Sequence, residues 1–280
     1  GQEAHPSKTP AEFQIGPLDQ GWWPDGLYTA PTDQALKYDI EMTKKLGYNM
    51  LRKHVKVEPQ RFYYWADKLG VMVWQDMPSG DMRPAKIPER TQASAKQFKK
   101  EYKDVLDALY NHPSIVMWVP FNEGWGQFRT EEIVEWTQQY DPTRLVNNAS
   151  GWHDKQVGDV VDMHDYPGPG MPETEENRAA VLGEYGGQAL VVKDHLWIQD
   201  FSRAPGHYET SQSEEKLHNT YDRMMEELYE FKDNGLAAAV YTQTTDVESE
   251  VNGLMTYDRE VVKFDIDHMQ EIHNVLISDE

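Results

Sequence analysis

Eight short apolar runs, separated by longer polar or amphipathic segments, constrain the fold of this 280-residue chain more than any other feature. Most of these runs are continuous rather than alternating, which is typical of strands buried on both faces of a parallel sheet covered by helices. Eight such strands with intervening helices predict a (β/α)8 barrel, a TIM barrel of the α/β class, whose usual length is about 250 residues. A doubly wound open sheet is the alternative, but no glycine-rich dinucleotide-binding turn follows the first run. The runs lie at residues 13–16, 49–53, 71–74, 115–119, 144–147, 160–164, 180–183 and 237–241.

Four predicted helices carry their own start and stop signals. Pro59 at a first-turn position and Gly70 as a left-handed stop delimit one of them, and the apolar residues in between recur with the period of one helical face. Three further helices are predicted at about residues 94–111, 213–234 and 266–276. Residues 1–12 are polar, contain two prolines and show no periodicity, so we expect a tail or linker there and the barrel at 13–280.

The net charge of the chain limits the kinds of partner that it can bind. The chain has 48 acidic and 27 basic side chains, a formal net charge of −21 with histidine neutral. Such a surface repels phosphate backbones and anionic lipids, so we expect no nucleic acid and no membrane partner, and a neutral substrate fits better. No apolar run approaches the roughly 20 residues that span a bilayer. The chain has no cysteine, which excludes disulfides, thiolate metal sites and a cysteine nucleophile.

The start of the chain bears on its location. Its first residues, Gly1-Gln2-Glu3, include no methionine, which is consistent with a mature or trimmed product. The missing cysteines do not decide the compartment, since many periplasmic and secreted enzymes also lack them. We expect a periplasmic or secreted location rather than a cytoplasmic one.

Polar and aromatic side chains follow the predicted strands. In a (β/α)8 barrel the working residues lie just beyond the carboxyl ends of the strands, so these positions are the candidates for a site. Flat indole faces pack against the C–H surface of a sugar ring, and five tryptophans fall in the same segments. The polar candidates are Arg52, His54, Asp76, Asn122, Glu123, His164, Tyr166, Glu184 and Gln243, and the tryptophans are Trp22, Trp23, Trp125, Trp152 and Trp197.

Two glutamates each end an apolar run abruptly. Glu123 follows the fourth run and Glu184 follows the seventh. Strands four and seven face each other across a barrel, so the two side chains can converge over its mouth, and a retaining glycosidase needs two carboxyl groups about 5 to 5.5 Å apart. In a chain with 48 acidic residues, carboxylates also fall at strand ends by chance. Spacing alone therefore leaves the catalytic and the structural interpretation open.

Metal-dependent and serine-dependent hydrolysis are both disfavoured by the sequence. His54, His153, His164 and His195 lie at or near the predicted mouth, as a metal site would require. However, the first run has no His-x-His and the chain has no HExxH motif, so we expect no metal. No G-x-S-x-G elbow is present, which argues against a serine nucleophile.

Several segments together resemble glycoside hydrolase family 2, which includes β-galactosidases, β-glucuronidases and β-mannosidases. NHPSIVMWVPFNE at residues 111–123 resembles the family segment that ends in Asn-Glu, and LGEYGG at 182–187 resembles its nucleophile segment. GYNMLRKH at 47–54 and YYWADKLGVMVWQDMP at 63–78 resemble its second and third strands. The resemblance covers roughly residues 13–265.

The resemblance implies a retaining β-glycosidase that needs no cofactor and acts on an oligosaccharide or β-glycoside, most similar to a β-galactosidase. It implies that Glu123 is the general acid/base and Glu184 the nucleophile. It further implies that Asn122 binds the sugar 2-hydroxyl, that Tyr166 donates a hydrogen bond to Glu184 and that Arg52 keeps Glu184 ionised. A carbohydrate-binding barrel with little or no turnover is the alternative.

The chain departs from the family pattern at three places. His54 lies one position earlier than the family's histidine after the second strand, residues 19–23 read DQGWW, and residues 241–245 read YTQTT without the tryptophan often found there. The family also carries β-sandwich domains before the barrel, and none fits in the 12 residues upstream. We therefore expect the catalytic barrel alone, with an uncovered apolar face through which it self-associates.

Overall fold

Eight parallel strands surround a common axis in the computed structural model, which describes residues 12–80, 90–198, 210–211 and 213–278. Each of the eight predicted runs overlaps one strand. The predicted tail lies outside the described residues except for Glu12, so its division from the barrel stays a prediction. The strands are β1 Gln14–Asp19, β2 Met50–Lys53, β3 Met72–Asp76, β4 Ile115–Val119, β5 Leu145–Val146, β6 Val160–Asp165, β7 Ala179–Gly186 and β8 Leu236–Thr242.

The strand order distinguishes the barrel from an open sheet. Neighbouring strands pair in the order β5-β4-β3-β2-β1-β8-β7-β6, so the first strand pairs with the last, with Gln14 opposite Ala238. Side chains link β5 and β6, since Asn147 Nδ2 donates to Asp162 Oδ2 at 2.6 Å. The sheet is therefore a nearly closed (β/α)8 barrel, and the predicted fold is confirmed.

Six helices of the described chain cover the outside of the barrel. Thr32 and Ser213 each accept a hydrogen bond at a helix start, and Gly70 ends another helix at a φ of +70°, as its sequence predicts. The four predicted helices are confirmed with small differences at their ends, and the first and fourth were not delimited from the sequence. The helices are α1 Asp33–Lys45, α2 Gln60–Leu69, α3 Gln92–Leu109, α4 Thr130–Tyr140, α5 Glu214–Asp233 and α6 Ile266–Ile277.

The core has an inner and an outer layer. Inside the barrel, buried apolar side chains from seven strands pack together, with Trp74 as the largest. Outside it, two clusters pack strands against helices, one including Phe62 and Trp118 and the other Tyr221 and Tyr241. Both faces of most strands are thus buried, which explains why the runs are continuous in the sequence.

Two predictions from the sequence concern the surface of the protein: the absence of a membrane partner and self-association. No helix in the described part of the chain is long and apolar enough to cross a membrane. Self-association through an uncovered apolar face stays a prediction. The large apolar side chains that are most exposed are Leu27, Tyr28, Tyr64, Tyr110, Leu145, Trp152, Val191 and Val275.

A buried cluster of charges holds the segment that follows β1. Lys53 Nζ lies 2.9 Å from Asp19 Oδ2 and 2.7 Å from Glu58 Oε1. Lys56 Nζ lies 2.7 Å from the same Glu58 oxygen and donates to the carbonyl of Gly21 at 2.6 Å. Burial disfavours the charge on Lys53, but Asp19 and Glu58 outweigh it and raise the pKa of Lys53 to about 12. These ion pairs anchor residues 20–28 at the mouth of the barrel.

We expect Lys53→Met to lower the free energy of unfolding by about 3–5 kcal/mol, because the substitution leaves Asp19 and Glu58 buried without their shared cation. Urea denaturation followed by circular dichroism measures the change. Lys100→Met is the matched control, since Lys100 pairs with Asp104 on the surface with 68% of its side chain exposed. It should leave the free energy of unfolding nearly unchanged. Equal losses in the two variants would contradict the buried cluster's importance.

Candidate active site

A cavity of about 810 Å³ opens at the carboxyl ends of the strands. Its volume lies within the range of about 300–1,000 Å³ that ligand pockets usually have. Most of the loops that follow the strands contribute to its wall, as expected for the functional end of a (β/α)8 barrel. The lining residues are Leu18, Gln20, Trp22, Tyr28, His54, Val55, Ser79, Gly80, Asn122, Glu123, Trp125, Trp152, His164, Asp165, Tyr166, Glu184, Thr242 and Glu250.

Glu184 is held by a donor on each carboxylate oxygen. The residue lies within β7 and is only 6% exposed. Arg52 Nη1 lies 3.1 Å from Oε1, and the Tyr166 hydroxyl donates to Oε2 at 2.6 Å. The Tyr166 hydroxyl is also 2.7 Å from Thr242 Oγ1, which fixes the phenol in turn. The carboxylate therefore has one orientation, with a full positive charge beside it.

Arg52, in β2, connects β3, β7 and the segment after β4 from a fully buried position. It bonds Asp76 through two nitrogens, Nε to Oδ1 at 3.1 Å and Nη2 to Oδ2 at 2.9 Å. It also donates to the carbonyl of Gly183 at 3.1 Å and to Asn122 Oδ1 at 2.7 Å. Burial disfavours the guanidinium charge, but Asp76 and Glu184 outweigh it and raise the pKa of Arg52 above its ordinary value. The cation beside Glu184 is thus permanent.

Glu123 occupies a turn just beyond β4. Its backbone φ is +51°, a left-handed conformation that costs a non-glycine residue about 1–3 kcal/mol. The next residue, Gly124, has a φ of +76° and admits no side chain, because a Cβ there would lie 2.3 Å from the His153 ring. The Glu123 amide donates to the carbonyl of Ser150 at 2.9 Å. This turn directs the Glu123 side chain, which is 24% exposed, into the cavity.

The two glutamates lie close together across the cavity. An oxygen of Glu123, an oxygen of Glu184 and a ring nitrogen of His164 all lie within 4.8 Å of one another. His164 Nδ1 lies between them, 3.0 Å from Glu123 Oε1 and 3.5 Å from Glu184 Oε2. An upper bound of 4.8 Å between the two oxygens is compatible with the roughly 5–5.5 Å between the carboxyl groups of retaining glycosidases and lies below the roughly 6.5–9.5 Å of inverting ones.

The two histidines of the site differ in how they bind protons. Burial disfavours protonation of His164, but the Glu184 charge and the hydrogen bond with Glu123 outweigh it and raise its pKa. Burial and then the charge of Arg52 lower the pKa of His54 to about 4. His54 Nε2 lies 3.7 Å from Glu184 Oε1 and 3.4 Å from Asn122 Nδ2. At neutral pH the site therefore presents an uncharged His54 beside Glu184.

Two groups of described residues bring together atoms of the kind that ligate metal ions. One is Glu123, His164 and Glu184, and the other is His195, Asp258 and Glu260. In the second group His195 Nδ1 already lies 2.8 Å from Asp258 Oδ2. The expectation of no catalytic metal stays a prediction.

Apart from the two glutamates, seven of the twelve candidate residues line the cavity, and five do not. Arg52 and Asp76 lie behind Glu184 and form the buried ion pair that supports it. The other three do not reach the cavity surface: Trp23 packs 3.8 Å from the Arg259 guanidinium, Trp197 packs against Tyr257, and Gln243 is buried and donates to Glu250 and Asn252. Those that line it are Trp22, His54, Asn122, Trp125, Trp152, His164 and Tyr166.

Sequence reasoning did not single out Gln20, Tyr28 or Glu250, which also line the cavity. Three acidic residues follow β8 closely, and nothing in the sequence shows which of them faces inward. In the structure Asp246 pairs with Lys263 at 2.6 Å and Glu248 is exposed. Glu250 alone of the three reaches the cavity.

Two carboxylates lie close together at the mouth of a (β/α)8 barrel, in a cavity lined by tryptophans. This arrangement is typical of glycoside hydrolase barrels. The chain belongs to glycosyl hydrolases family 2, because the model of that family's TIM barrel domain matches residues 29–263. The resemblance found in the sequence is thereby confirmed.

Known proteins similar to the chain carry several glycosidase names. It is 26% identical over 199 residues to a β-galactosidase of Aeromonas hydrophila, a match that covers 62% of the chain and 19% of that enzyme. A solved β-galacturonidase of Eisenbergiella tayi bound to galacturonate superposes with a TM-score of 0.73 at 19% identity, over 95% of the chain and 51% of the other. A β-glucuronidase of Bifidobacterium dentium gives a TM-score of 0.71 at 16% identity, over 94% and 46%. The chain thus spans about a fifth of the length of its curated relative, and the solved structures establish the shared fold.

We expect the His54 ring to stay uncharged until the pH falls to about 4, because burial and Arg52 disfavour its proton. Nitrogen-15 spectra of the imidazole rings, with His54→Gln to assign the signal, report the midpoint directly. The unfolded chain takes up this proton near pH 6.5, whereas the folded chain does so only near pH 4. The free energy of unfolding should therefore decrease as the pH falls from about 6.5 to about 4. A midpoint between pH 6 and 7 would contradict the assignment.

Proposed function

We propose that this chain is the catalytic barrel of a retaining β-glycosidase that acts through a covalent glycosyl-enzyme intermediate. The observation that carries the proposal is the short separation of Glu123 and Glu184 at the cavity surface. The environments of the two residues support different roles. Glu184 is nearly buried between Arg52 and Tyr166, whereas Glu123 is the more exposed and has His164 as its neighbour.

In the first half-reaction the Glu184 carboxylate attacks the anomeric carbon. A bond forms between Glu184 and the sugar while the bond from the anomeric carbon to the leaving oxygen breaks. Glu123, in its protonated form, donates its proton to that oxygen, so the aglycone departs as a neutral alcohol. Arg52 and Tyr166 hold Glu184 in position for attack.

In the second half-reaction Glu123 acts as a base. It accepts a proton from a water molecule, whose oxygen bonds to the anomeric carbon as the ester to Glu184 breaks. Glu184 returns to its carboxylate form and Glu123 to its protonated form. Two successive inversions at the anomeric carbon release the sugar with its original β configuration.

The walls of the cavity support a sugar as the substrate. Trp22, Trp125 and Trp152 present aromatic surface from three different loops. Asn122 precedes Glu123 and lines the cavity, and Arg52 donates to its Oδ1 as well as to Glu184. We assign its amide nitrogen to the sugar 2-hydroxyl. Curated relatives named β-galactosidase support a β-galactoside as the first substrate to test. A periplasmic or secreted location is part of the same proposal.

We expect Glu184→Gly to abolish hydrolysis of an ordinary β-glycoside, because no covalent intermediate can form without the carboxylate. Added azide should occupy the vacated position and restore cleavage of a 4-nitrophenyl glycoside, giving the α-glycosyl azide. Proton NMR of the product identifies the anomer. The unmodified protein with azide is the control and should release the β sugar.

Glu123→Gly should behave differently, and glycine adopts the positive φ of this position without strain. An activated substrate needs no proton on its leaving group, so the glycosyl-enzyme should still form and azide should yield the β-glycosyl azide. Each variant should lose about a hundredfold or more in rate on a substrate with a poor leaving group. The same anomer from both variants would contradict the assignment of roles.

The rate of hydrolysis should show a bell-shaped dependence on pH. It should fall on both the acid and the alkaline side, because the proposed mechanism requires one carboxyl group ionised and the other protonated. Measurements of kcat/KM between about pH 4 and 9 test this, with circular dichroism at each pH to exclude unfolding. A flat profile would contradict the pair, and binding of oligosaccharide without measurable turnover would favour a carbohydrate-binding barrel.

A further inference from the structure

Glu250 is a third glutamate in the wall of the cavity that holds Glu123 and Glu184. It lies in the segment after β8, where its backbone and that of Val247 exchange hydrogen bonds of 2.8 and 3.0 Å. The mechanism proposed above gives it no role. Its side chain lies next to Gln20 and Gln243, on the side of the cavity formed by the β1 and β8 loops.

Two amides position one oxygen of the Glu250 carboxylate. Oε2 accepts from Gln243 Nε2 at 2.7 Å and from Gln20 Nε2 at 3.2 Å. Gln243 is 1% exposed and also donates to Asn252 at 2.8 Å, so the support is rigid. The hydrogen bonds from the described residues to this carboxylate all reach Oε2 and none reaches Oε1. The carboxylate is therefore held in place with one oxygen available to a ligand.

The charge of the cavity favours one class of ligand. Four acidic side chains line it, and no lysine or arginine is among the described lining residues. The guanidinium group of Arg52, which bonds the lining residue Glu184, is fully buried and also engaged by Asp76. Burial and the charge of Glu184 raise the pKa of Glu250, as expected for an acidic group with no cationic partner. A ligand carboxylate beside Glu250 would meet like charges and no lysine or arginine from the described lining residues.

We propose that Glu250 is a specificity-determining residue, which accepts hydrogen bonds from hydroxyl groups of a neutral sugar and excludes uronic acids. The inference rests on the proposed function, since it concerns the sugar that Glu184 attacks. The fold is shared with proteins named β-galactosidase, β-glucuronidase and β-galacturonidase, so the choice between neutral and acidic sugars is not decided by the fold. Glu250 decides it in this chain.

Three matched pairs of 4-nitrophenyl β-glycosides test the proposal: galactoside and galacturonide, glucoside and glucuronide, mannoside and mannuronide. Members of a pair differ only at C6. The unmodified protein should prefer the neutral member of the pair it hydrolyses. Glu250→Gln keeps the shape and removes the charge, so kcat/KM for the neutral member should fall by about 10- to 100-fold, the worth of a hydrogen bond to a charged group. The preference for the neutral member should fall by at least about tenfold.

Glu248→Gln is the matched control. It makes the same charge change in the same segment, but Glu248 is exposed and does not line the cavity. Its preference for the neutral sugar should equal that of the unmodified protein. Equal losses of preference in the two variants would indicate a general charge effect and overturn a specific role for Glu250.

The outcomes separate this inference from the proposed function. Hydrolysis of a uronide as fast as its neutral partner by the unmodified protein overturns the inference and leaves the glycosidase proposal intact. If no glycoside is hydrolysed, the glycosidase proposal fails, and calorimetric titration with the three free sugars and their uronates decides the inference. In that case the inference requires that the unmodified protein binds a neutral sugar but not its uronate, and that the Glu250→Gln variant binds the uronate. Binding of no sugar, or of both members equally, overturns it.

Discussion

The guanidinium group of Arg52 is the interaction on which the site depends. It is fully buried and bonds side chains or backbone from β3, β7 and the segment after β4, so it connects one half of the barrel to the other. A buried cation without partners costs several kcal/mol, and the fold therefore requires acceptors around it. Glu184 is one of these acceptors. The contact that stabilises the carboxyl end of the barrel is the same contact that orients the proposed nucleophile.

The two glutamates reach the cavity by different structural routes. Glu184 belongs to a strand, and its orientation follows from the strand and from donors on both oxygens. Glu123 belongs to a left-handed turn that places its side chain opposite, with fewer protein contacts and more exposure. A held carboxylate suits attack on carbon, and a more accessible one suits proton exchange with a leaving group and with water. The difference in how the two carboxylates are held therefore parallels the difference in their proposed roles.

The loops around the glutamates determine what the cavity accepts. The buried cluster of Lys53, Lys56, Asp19 and Glu58 anchors the segment after β1, which contributes Gln20, Trp22 and Tyr28 to the wall. Gln20 in turn helps to position Glu250 from the segment after β8. These two adjacent strands thus build one side of the cavity jointly, through contacts between residues about 230 positions apart. The proposed selection of the substrate depends on this side of the cavity, whereas the proposed chemistry depends on residues from the other strands.

The sequence by itself determined the barrel, since doubly buried strands require continuous apolar runs and each of the eight runs became a strand. It also placed Glu123 and Glu184 at one edge of the barrel, because strand ends locate polar residues there, and both side chains line the cavity in the structure. It did not determine which neighbouring side chains face the cavity. Trp23, Trp197 and Gln243 follow strands as predicted, yet Arg259, Tyr257 and Asn252 occupy them, whereas Glu250 reaches the cavity from a turn with no periodic pattern. Side-chain direction in a loop follows from contacts between residues distant in the chain, and only the tertiary structure brings those residues together.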